Sequence, residues 1–489
     1  MKFKALLLIP FISIGLGSCS ILDDIIDPDK DVDISKPLQD DKGDGYEKRT
    51  SLRMNLHDIN KTIGSLDMPS VGNPKLLIVP VECSDAPSFT ENRLSIVNKA
   101  FFGSSTDTYW ESVKSYYKIA SYGKLDIEGE VAPVFKTNLT VDQLKSQGGG
   151  NPDRIVVDMF EADSSYKEYR ARSDSDGDGY VDAVAFIYNA PIEHDSGFWA
   201  WVTRNSSYPS TTNPAVCAYM WASYDFIFEV NVGTRGSGID SHTFIHETGH
   251  LLGLNDYYPY EGEYYPTGCL DMMTLNIGDQ DIYSKMSLGW VDPYYVSTDN
   301  EVTLKLRSSA LYGDAIILKN NWNGSANDEY IAIEYYTPEG NNEQDATVKY
   351  PGRNLQMYTI PGFRIYHIDS RVAELDNYGQ YVGIVNKLEK NKYYVIAPCN
   401  SESRSWFKSP TARKNFKQIS LMESCGENTF KQGLYADNDT LFRKGSSFQA
   451  TSEFFYYGSK FNDLSEVGYK IEITHSSKKY GEVRIKKIA

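Results

Sequence analysis

Basic residues are the first shortage: 49 Lys and Arg stand against 66 Asp and Glu, a net charge of −17 over 489 residues. Phosphate backbones are bound by clustered cations, and no such cluster offsets the deficit, so nucleic acid is excluded as the main partner. The excess acid is compatible with bound divalent cations. Cysteine is scarce as well; six in so long a chain rule out a disulfide-stapled scaffold. No Cys/His spacing marks a thiolate metal site or a cysteine nucleophile. Long apolar runs are missing beyond the N-terminus, where Ala5 to Gly17 makes about 20 Å of helix against a hydrocarbon core of about 30 Å. No repeat recurs at a solenoid period. Aromatic side chains, by contrast, are plentiful at 13%, and 41% of residues are apolar, which excludes a disordered chain. At this length two or three domains are expected.

Lys2 and Lys4 precede the apolar run, which ends in Leu16-Gly17-Ser18-Cys19. Residues 1–18 therefore read as a signal peptide. The ending resembles a bacterial lipobox, which implies cleavage before Cys19 and a diacylglycerol on its thiol. Residues 19–70 are expected to be a lipid anchor, an acidic tether (Asp23, Asp24, Asp27, Asp29, Asp31 and Asp33) and a lead-in. An acidic stretch behind the lipid cysteine is also similar to the surface-export signals of some Gram-negative lipoproteins. The expected location is the bacterial cell envelope, lipid-anchored to the outer membrane and facing the cell surface. Five thiols remain, Cys83, Cys217, Cys269, Cys399 and Cys425, of which Cys217–Cys269 and Cys399–Cys425 are conceivable pairs.

From Lys75 the chain mixes strands and helices. Leu76 to Val81 reads as a buried strand, and Tyr109, Trp110, Val113, Tyr116 and Tyr117 repeat near the helical period. Gly123 to Ile127 alternates as a strand, Val181 to Tyr188 reads as another buried one, and a helix is expected from about Asp240 to Leu252. This texture predicts an α/β domain over residues 71–295. After Pro293 short alternating strands follow one another: Val302 to Leu306, Tyr330 to Tyr336, Phe363 to Ile368, Tyr393 to Ile396, Tyr469 to Ile473 and Val483 to Ile485. They predict an all-β sandwich over residues 296–489.

The chemistry concentrates in His246-Glu247-Thr248-Gly249-His250-Leu251-Leu252-Gly253-Leu254-Asn255-Asp256. Histidines four apart share a helix face, so His246 and His250 can hold one ion. Two nitrogens leave a tetrahedral Zn²⁺ short of one protein ligand and a water. Glu247 lies one step round the helix, beside that water rather than on the metal, in the position of a general base. Gly253 can take φ > 0 and end the helix, letting the chain double back so that Asp256 offers a carboxylate. His242, one turn earlier, reads as a neighbour of the site rather than a ligand.

This segment resembles the immune inhibitor A-type family of zinc metallopeptidases. Ser112-Val-Lys-Ser-Tyr-Tyr117, Ser121-Tyr-Gly-Lys-Leu-Asp126, Asp174-Ser-Asp-Gly-Asp-Gly-Tyr-Val-Asp182, Asp271-Met-Met-Thr274 and Leu288-Gly-Trp290 are similar to its other blocks. Ile331-Ala-Ile-Glu-Tyr335, Gly362 to Asp369 and Leu441 to Gly445 extend the likeness, which covers about residues 75 to 370. Cys83 departs from the pattern, where the family usually has an aromatic, and residues 190–205 match poorly. The resemblance implies a zincin-like mixed sheet with an active-site helix, Asp256 as third zinc ligand with Asp271 as the alternative, and Met273 as the apolar floor of a Met-turn. The implied activity is that of a zinc endopeptidase, with Glu247 taking a proton from the attacking water and passing it to the leaving amine. Tyr258 and Tyr283 are the candidate stabilisers of the oxyanion.

Asp174, Asp176, Asp178 and Asp182 alternate around Gly179, and Tyr180 is placed to give a backbone carbonyl, as in the first three-quarters of an EF-hand loop. The twelfth position is Ala185 rather than a glutamate, so the expectation is a structural Ca²⁺ loop leading into a strand. Two other readings stay open: a peptidase restricted to glycoproteins, and a non-catalytic lipoprotein that binds glycan or protein with a structural zinc. Partners are therefore protein or glycoprotein substrates, and the membrane through the lipid on Cys19.

Overall fold

A computed structural model describes residues 29–50, 55–62, 66–193, 196–205, 207–228, 238–261, 264–296, 300–350, 353–402 and 415–488. The signal peptide and Cys19 lie outside the described residues. Among the described residues no helix is long and apolar enough to cross a membrane.

The chain forms a mixed α/β fold with several sheets. Its first sheet is built on Lys75–Glu82, whose six inner residues are all buried, as a parallel strand covered on both faces must be. Ala183–Tyr188 pairs parallel to it and Ala218–Ser223 parallel to that in turn, while Trp201–Arg204 closes the edge antiparallel. Side chains alternate between two cores. Leu77, Val79, Val184 and Phe186 pack with Leu144, Val156 and Phe160 of the helices Val141–Gln147 and Pro152–Ala162. Leu76, Ile78, Ala185 and Ile187 belong to the core of Phe101, Tyr116, Tyr117, Phe244 and Ile245, which the helices Glu91–Phe102, Val113–Ala120 and His242–Leu251 supply.

The second half contains a sandwich. A seven-stranded sheet runs in the order Lys42–Gly43, Tyr46–Lys48, Tyr294–Val296, Ala315–Leu318, Glu329–Tyr336, Gly362–Asp369, Ile419–Met422. A four-stranded sheet runs in the order Val302–Arg307, Tyr480–Lys487, Tyr469–Ser476, Ser447–Gln449. Ile316, Ile331, Ile333 and Ile365 of the first share one core with Leu304, Leu306, Ile471 and Val483 of the second. The other face of the seven-stranded sheet, through Ile317, Tyr330, Tyr336, Tyr366 and Ile368, joins the core that carries the helix His242–Leu251. The expected boundary at 295/296 thus falls within a sheet, and residues 42–48 of the expected lead-in supply two of its strands.

Three local expectations change. Gly123 to Ile127 does not form a full strand: a turn in which Tyr122 and Gly123 take φ of 56° and 77° is followed by a single bridge between Leu125 and Gly72, and the strand begins at Glu128. The second half is not all-β, since Ser309–Tyr312 and Glu343–Thr347 are helical. Cys83, Cys217, Cys269, Cys399 and Cys425 are all free thiols, so neither conceivable disulfide forms; four are buried, and Cys425 is exposed.

Candidate metal centre

The helix His242–Leu251 is buried at every position from His242 to Gly249. The Asp240 carboxylate accepts the His242 backbone N–H at 3.1 Å, placing negative charge at the positive end of the helix. On its inner side the Tyr117 hydroxyl donates to the Ile245 carbonyl at 2.7 Å. Met273 comes close to Gly249: a Cβ there would lie 2.4 Å from the Met273 sulfur, which would have to shift. Gly253 ends the helix at φ +95°, and a Cβ there would lie 2.6 Å from both Asn60 and Asp67. The reversal carries the Leu254 carbonyl back over His250 and brings Asp256 to the two histidines.

His246 Nδ1 bonds the Met272 carbonyl and His250 Nδ1 bonds the Leu254 carbonyl, both at 2.8 Å. A ring that donates from Nδ1 presents a bare lone pair at Nε2. The two Nε2 atoms are 3.2 Å apart, and Asp256 Oδ1 is 3.2 Å from each. Three lone-pair atoms in one triangle repel unless a cation sits among them. Ligands about 2.0–2.1 Å from a tetrahedral ion lie about 3.3 Å from one another, so both the edge length and the donor chemistry fit Zn²⁺. In the metal-free protein burial works against a charged His250, but Asp256 and Glu247 hold the imidazole up at about 9. Asp256 itself falls far below the usual carboxylate range, its burial outweighed by His250 and His246. Protons and metal therefore compete for this set.

Glu247 lines the same cleft as His246, His250 and Asp256. Its Oε2 is buried with no hydrogen-bond partner among the described residues. Burial pushes the carboxyl above its usual range, partly offset by the imidazoles of His246 and His250. Tyr260 donates its hydroxyl to Asp256 Oδ2 at 2.6 Å, leaving Oδ1 to face the histidines. The Tyr258 ring lies 6.5 Å from the His246 ring at 29° and also lines the cleft. Tyr283 does not: it is 1% exposed, with its hydroxyl engaged by Asn327 and Gln418.

The cleft encloses about 580 Å³. The edge strand Trp201–Arg204 forms one wall, with Leu56 and Asn60 of the helix Leu56–Thr62 and Ile396 completing others. Arg204 Nη2 donates to the His250 carbonyl at 3.0 Å and pairs with Asp67. These wall residues were invisible in the sequence, since they come from three distant segments, one of them in the poorly matching stretch 190–205.

Two residues once in contention for the metal have other work. His242 places Nδ1 2.6 Å from Asp240 and Nε2 3.2 Å from Asp345, and stacks on Trp110 at 4.2 Å. Burial opposes its charge, yet Asp240 and Asp345 hold it up at about 9. Asp271 lies outside the group formed by His246, His250 and Asp256. It caps the short helix Met272–Leu275, accepting the Met273 N–H at 2.8 Å. Burial and the neighbouring Asp281 raise its carboxyl well above the usual range. That turn supplies the carbonyl that orients His246 and the methionine that lies under Gly249.

In the second acidic motif, Asp174, Asp176 and Asp182 each bring one carboxylate oxygen within 4.8 Å of the others. Asp178 and Tyr180 fall outside this group; Asp178 Oδ1 instead accepts the Tyr180 N–H at 2.9 Å. Asp182 is committed locally, accepting the backbone N–H of Ser175 at 2.9 Å and of Lys75 at 2.7 Å. Through Lys75 the loop is tied to the strand Lys75–Glu82 of the first sheet.

No protein-family model matches the chain, and no curated protein matches it. Among solved structures it is similar to metalloproteinase-II from Bacteroides fragilis, with 12% identity over 45% of this chain and 56% of that chain and a TM-score of 0.21. The chain spans little more than half of that protein's length, and a likeness of this degree carries no argument about chemistry.

Proposed function

We propose that this chain is a zinc-dependent endopeptidase. The observation that carries the reading is the triangle of bare acceptor atoms on His246, His250 and Asp256, with the unbonded carboxylate of Glu247 beside it. His246, His250 and Asp256 would hold the ion, leaving the fourth corner open, as in catalytic rather than structural sites. When bound there, zinc supplies Lewis acidity toward a carbonyl and toward water. Glu247 accepts the proton of the attacking water and returns it to the departing amine. Burial strengthens it as a base. Tyr258 is taken as the oxyanion donor, supported by its place in the cleft lining. The immune inhibitor A-type resemblance supports the same assignment.

Glu247→Gln should retain stoichiometric zinc by elemental analysis while losing about 10²–10⁴-fold in hydrolysis of a denatured protein. His246→Ala should lose metal and activity together. A Glu247→Gln protein that cleaves at the wild-type rate sinks the mechanism.

Two further parts belong to the proposal. The loop Asp174–Asp182 is taken to bind a structural Ca²⁺, supported by four carboxylates within nine residues, so a calcium-selective chelator should lower the melting temperature. The chain is taken to be anchored to the bacterial outer membrane through lipid on Cys19, and release of Cys19→Ala protein from the membrane fraction is the check.

A further inference from the structure

Asp29, the first of the described residues, is pinned to the outer layer of the sandwich. It is only 3% exposed. Its Oδ2 is 3.0 Å from Nε2 of His475, whose ring stacks on Tyr480 with centroids 4.6 Å apart. Lys479 Nζ donates to the Asp29 carbonyl at 2.6 Å and to the Lys30 carbonyl at 3.1 Å. These partners belong to the hairpin that joins Tyr469–Ser476 to Tyr480–Lys487, the two middle strands of the four-stranded sheet. From there the chain stays on the body. Arg307 Nη1 donates to the Ile34 carbonyl at 3.4 Å, Gln39 Oε1 accepts the Lys305 N–H at 2.9 Å, and residues 42–48 enter the seven-stranded sheet. The place where the preceding residues leave the body is therefore fixed at this hairpin.

The hairpin and the zinc cleft lie on opposite sides of the seven-stranded sheet. Ile471 and Val483 of the hairpin strands face the core shared with that sheet, about 10 Å away at the usual spacing of packed sheets, and only beyond it comes the core that carries the helix His242–Leu251. Ten residue steps separate Cys19 from Asp29, a reach of at most about 36 Å. A compact chain of 489 residues has a radius of gyration of about 23 Å and so measures about 60 Å across. The tether is shorter than the body it holds, so a lipid on Cys19 keeps the hairpin side toward the membrane and the cleft side away from it. Cations gather at the same point. Lys30, Arg443, Lys444 and Lys478 are exposed, and the Lys444 N–H donates to Ser476 Oγ at 3.2 Å. Neither these nor Lys479 has a carboxylate partner among the described residues. The exposed acids of the same stretch are Asp31 and Asp33, and Asp23, Asp24 and Asp27 of the tether offset more of the charge. The exit point and the short reach thus set the orientation, while the cations favour contact with anionic headgroups.

We propose that the hairpin end of the four-stranded sheet, with Lys30, Arg443, Lys444, Lys478 and Lys479, is the surface that rests on an anionic lipid layer, and that the cleft beyond the seven-stranded sheet is turned to the solvent. The orientation rests on the reading of Cys19 as the lipid attachment and stands independently of the peptidase reading. It leaves the cleft open to proteins arriving from solution, not to chains embedded in the same membrane.

The test is fluorescence quenching of the full chain, purified with its lipid and reconstituted on vesicles of phosphatidylcholine and phosphatidylglycerol that carry a headgroup spin label. Cys425→Ser removes the exposed native thiol, and a fluorophore is then placed through Lys478→Cys beside the hairpin or through Tyr208→Cys, a position 91% exposed in the loop that follows the cleft wall Trp201–Arg204. The label at 478 should lose most of its emission and the label at 208 should keep it. Asp29→Ala combined with Lys479→Met, which unpins the tether from the hairpin, should erase most of that contrast at an unchanged melting temperature. Protein that does not float with the vesicles overturns the anchoring on Cys19 and the orientation with it. Floated protein in which both labels are quenched equally, in which 208 is quenched more, or in which the unpinned variant keeps the full contrast overturns the orientation alone.

Discussion

Asp256 divides its two carboxylate oxygens between the imidazoles and the Tyr260 hydroxyl. A partner of this kind orients a ligating carboxylate, and its loss typically costs about 10–100-fold in metal affinity. Tyr260→Phe should accordingly weaken zinc binding by at least about tenfold in competition with a chelator, with little change in melting temperature. Tyr258→Phe should instead lower kcat by about 10²-fold with KM nearly constant, the mark of a donor used only in the transition state. Tyr283→Phe should leave kcat unchanged, and equal losses in the two tyrosine variants would remove Tyr258 from its role. His246, Glu247 and His250 were legible in the sequence because their relation is local to one helix, and Gly253 signalled the reversal to Asp256. Tyr260 was not legible, since its contact with Asp256 depends on the path of a loop. Spacing could not tell Tyr258 from Tyr283; only the fold shows that Tyr258 lines the cleft while Tyr283 is buried and bonded to Asn327 and Gln418.

At the scale of elements, the helix His242–Leu251 is gripped at its start by His242, which bridges Asp240 on the same segment to Asp345 on the helix Glu343–Thr347. Trp110 and Tyr350 cover the ring on its faces. The imidazole is held at about 9 against a usual 6.5. A folded-state value raised in this way contributes stability that is fully present below pH about 6.5 and is lost as the pH climbs through about 9, an effect of order 3 kcal/mol. The melting temperature of the zinc-saturated protein should therefore fall between pH 6.5 and 9.5, and Asp345→Asn should flatten that fall. A wild-type profile as flat as the variant's would mean that His242 is neutral throughout. The helix itself was readable to within two residues of each end, because its apolar and polar positions repeat with the helical period. The turn at Gly123 was misread, because the alternation of Leu125 and Ile127 imitates a strand where φ values of 56° and 77° just before them bend the chain.

At the scale of the molecule, the seven-stranded sheet faces two ways. All eight residues of Glu329–Tyr336 and of Gly362–Asp369 are buried, the pattern of strands with protein on both faces and not of a sandwich sheet with one side in water. The sequence displays this as unbroken apolar runs such as Tyr330 to Ile333, which reveal burial but not what does the burying. Polar contacts cross the same boundary: Asn341 Nδ2 donates to the Tyr116 carbonyl at 3.2 Å, Asn400 Nδ2 to the Tyr257 carbonyl at 3.0 Å, and the Tyr260 N–H to the Ser401 carbonyl at 2.8 Å. The loop that carries Asp256 and Tyr260 is thus held from the second half. A chain cut after Val296 would strip the strand Glu329–Tyr336 from the helix Ile282–Ser287, whose Tyr283 and Met286 are each 1% exposed in the intact fold. Each large side chain returned to water forfeits about 1.5–3 kcal/mol, so even two remove a large share of the stability of a typical domain, about 5–15 kcal/mol. Residues 29–296 expressed alone should therefore show no cooperative melt and no stoichiometric zinc, while the full chain unfolds in one calorimetric transition. A soluble 29–296 fragment that binds zinc, or two separate transitions in the intact protein, would establish that the halves fold independently and that the shared core adds little.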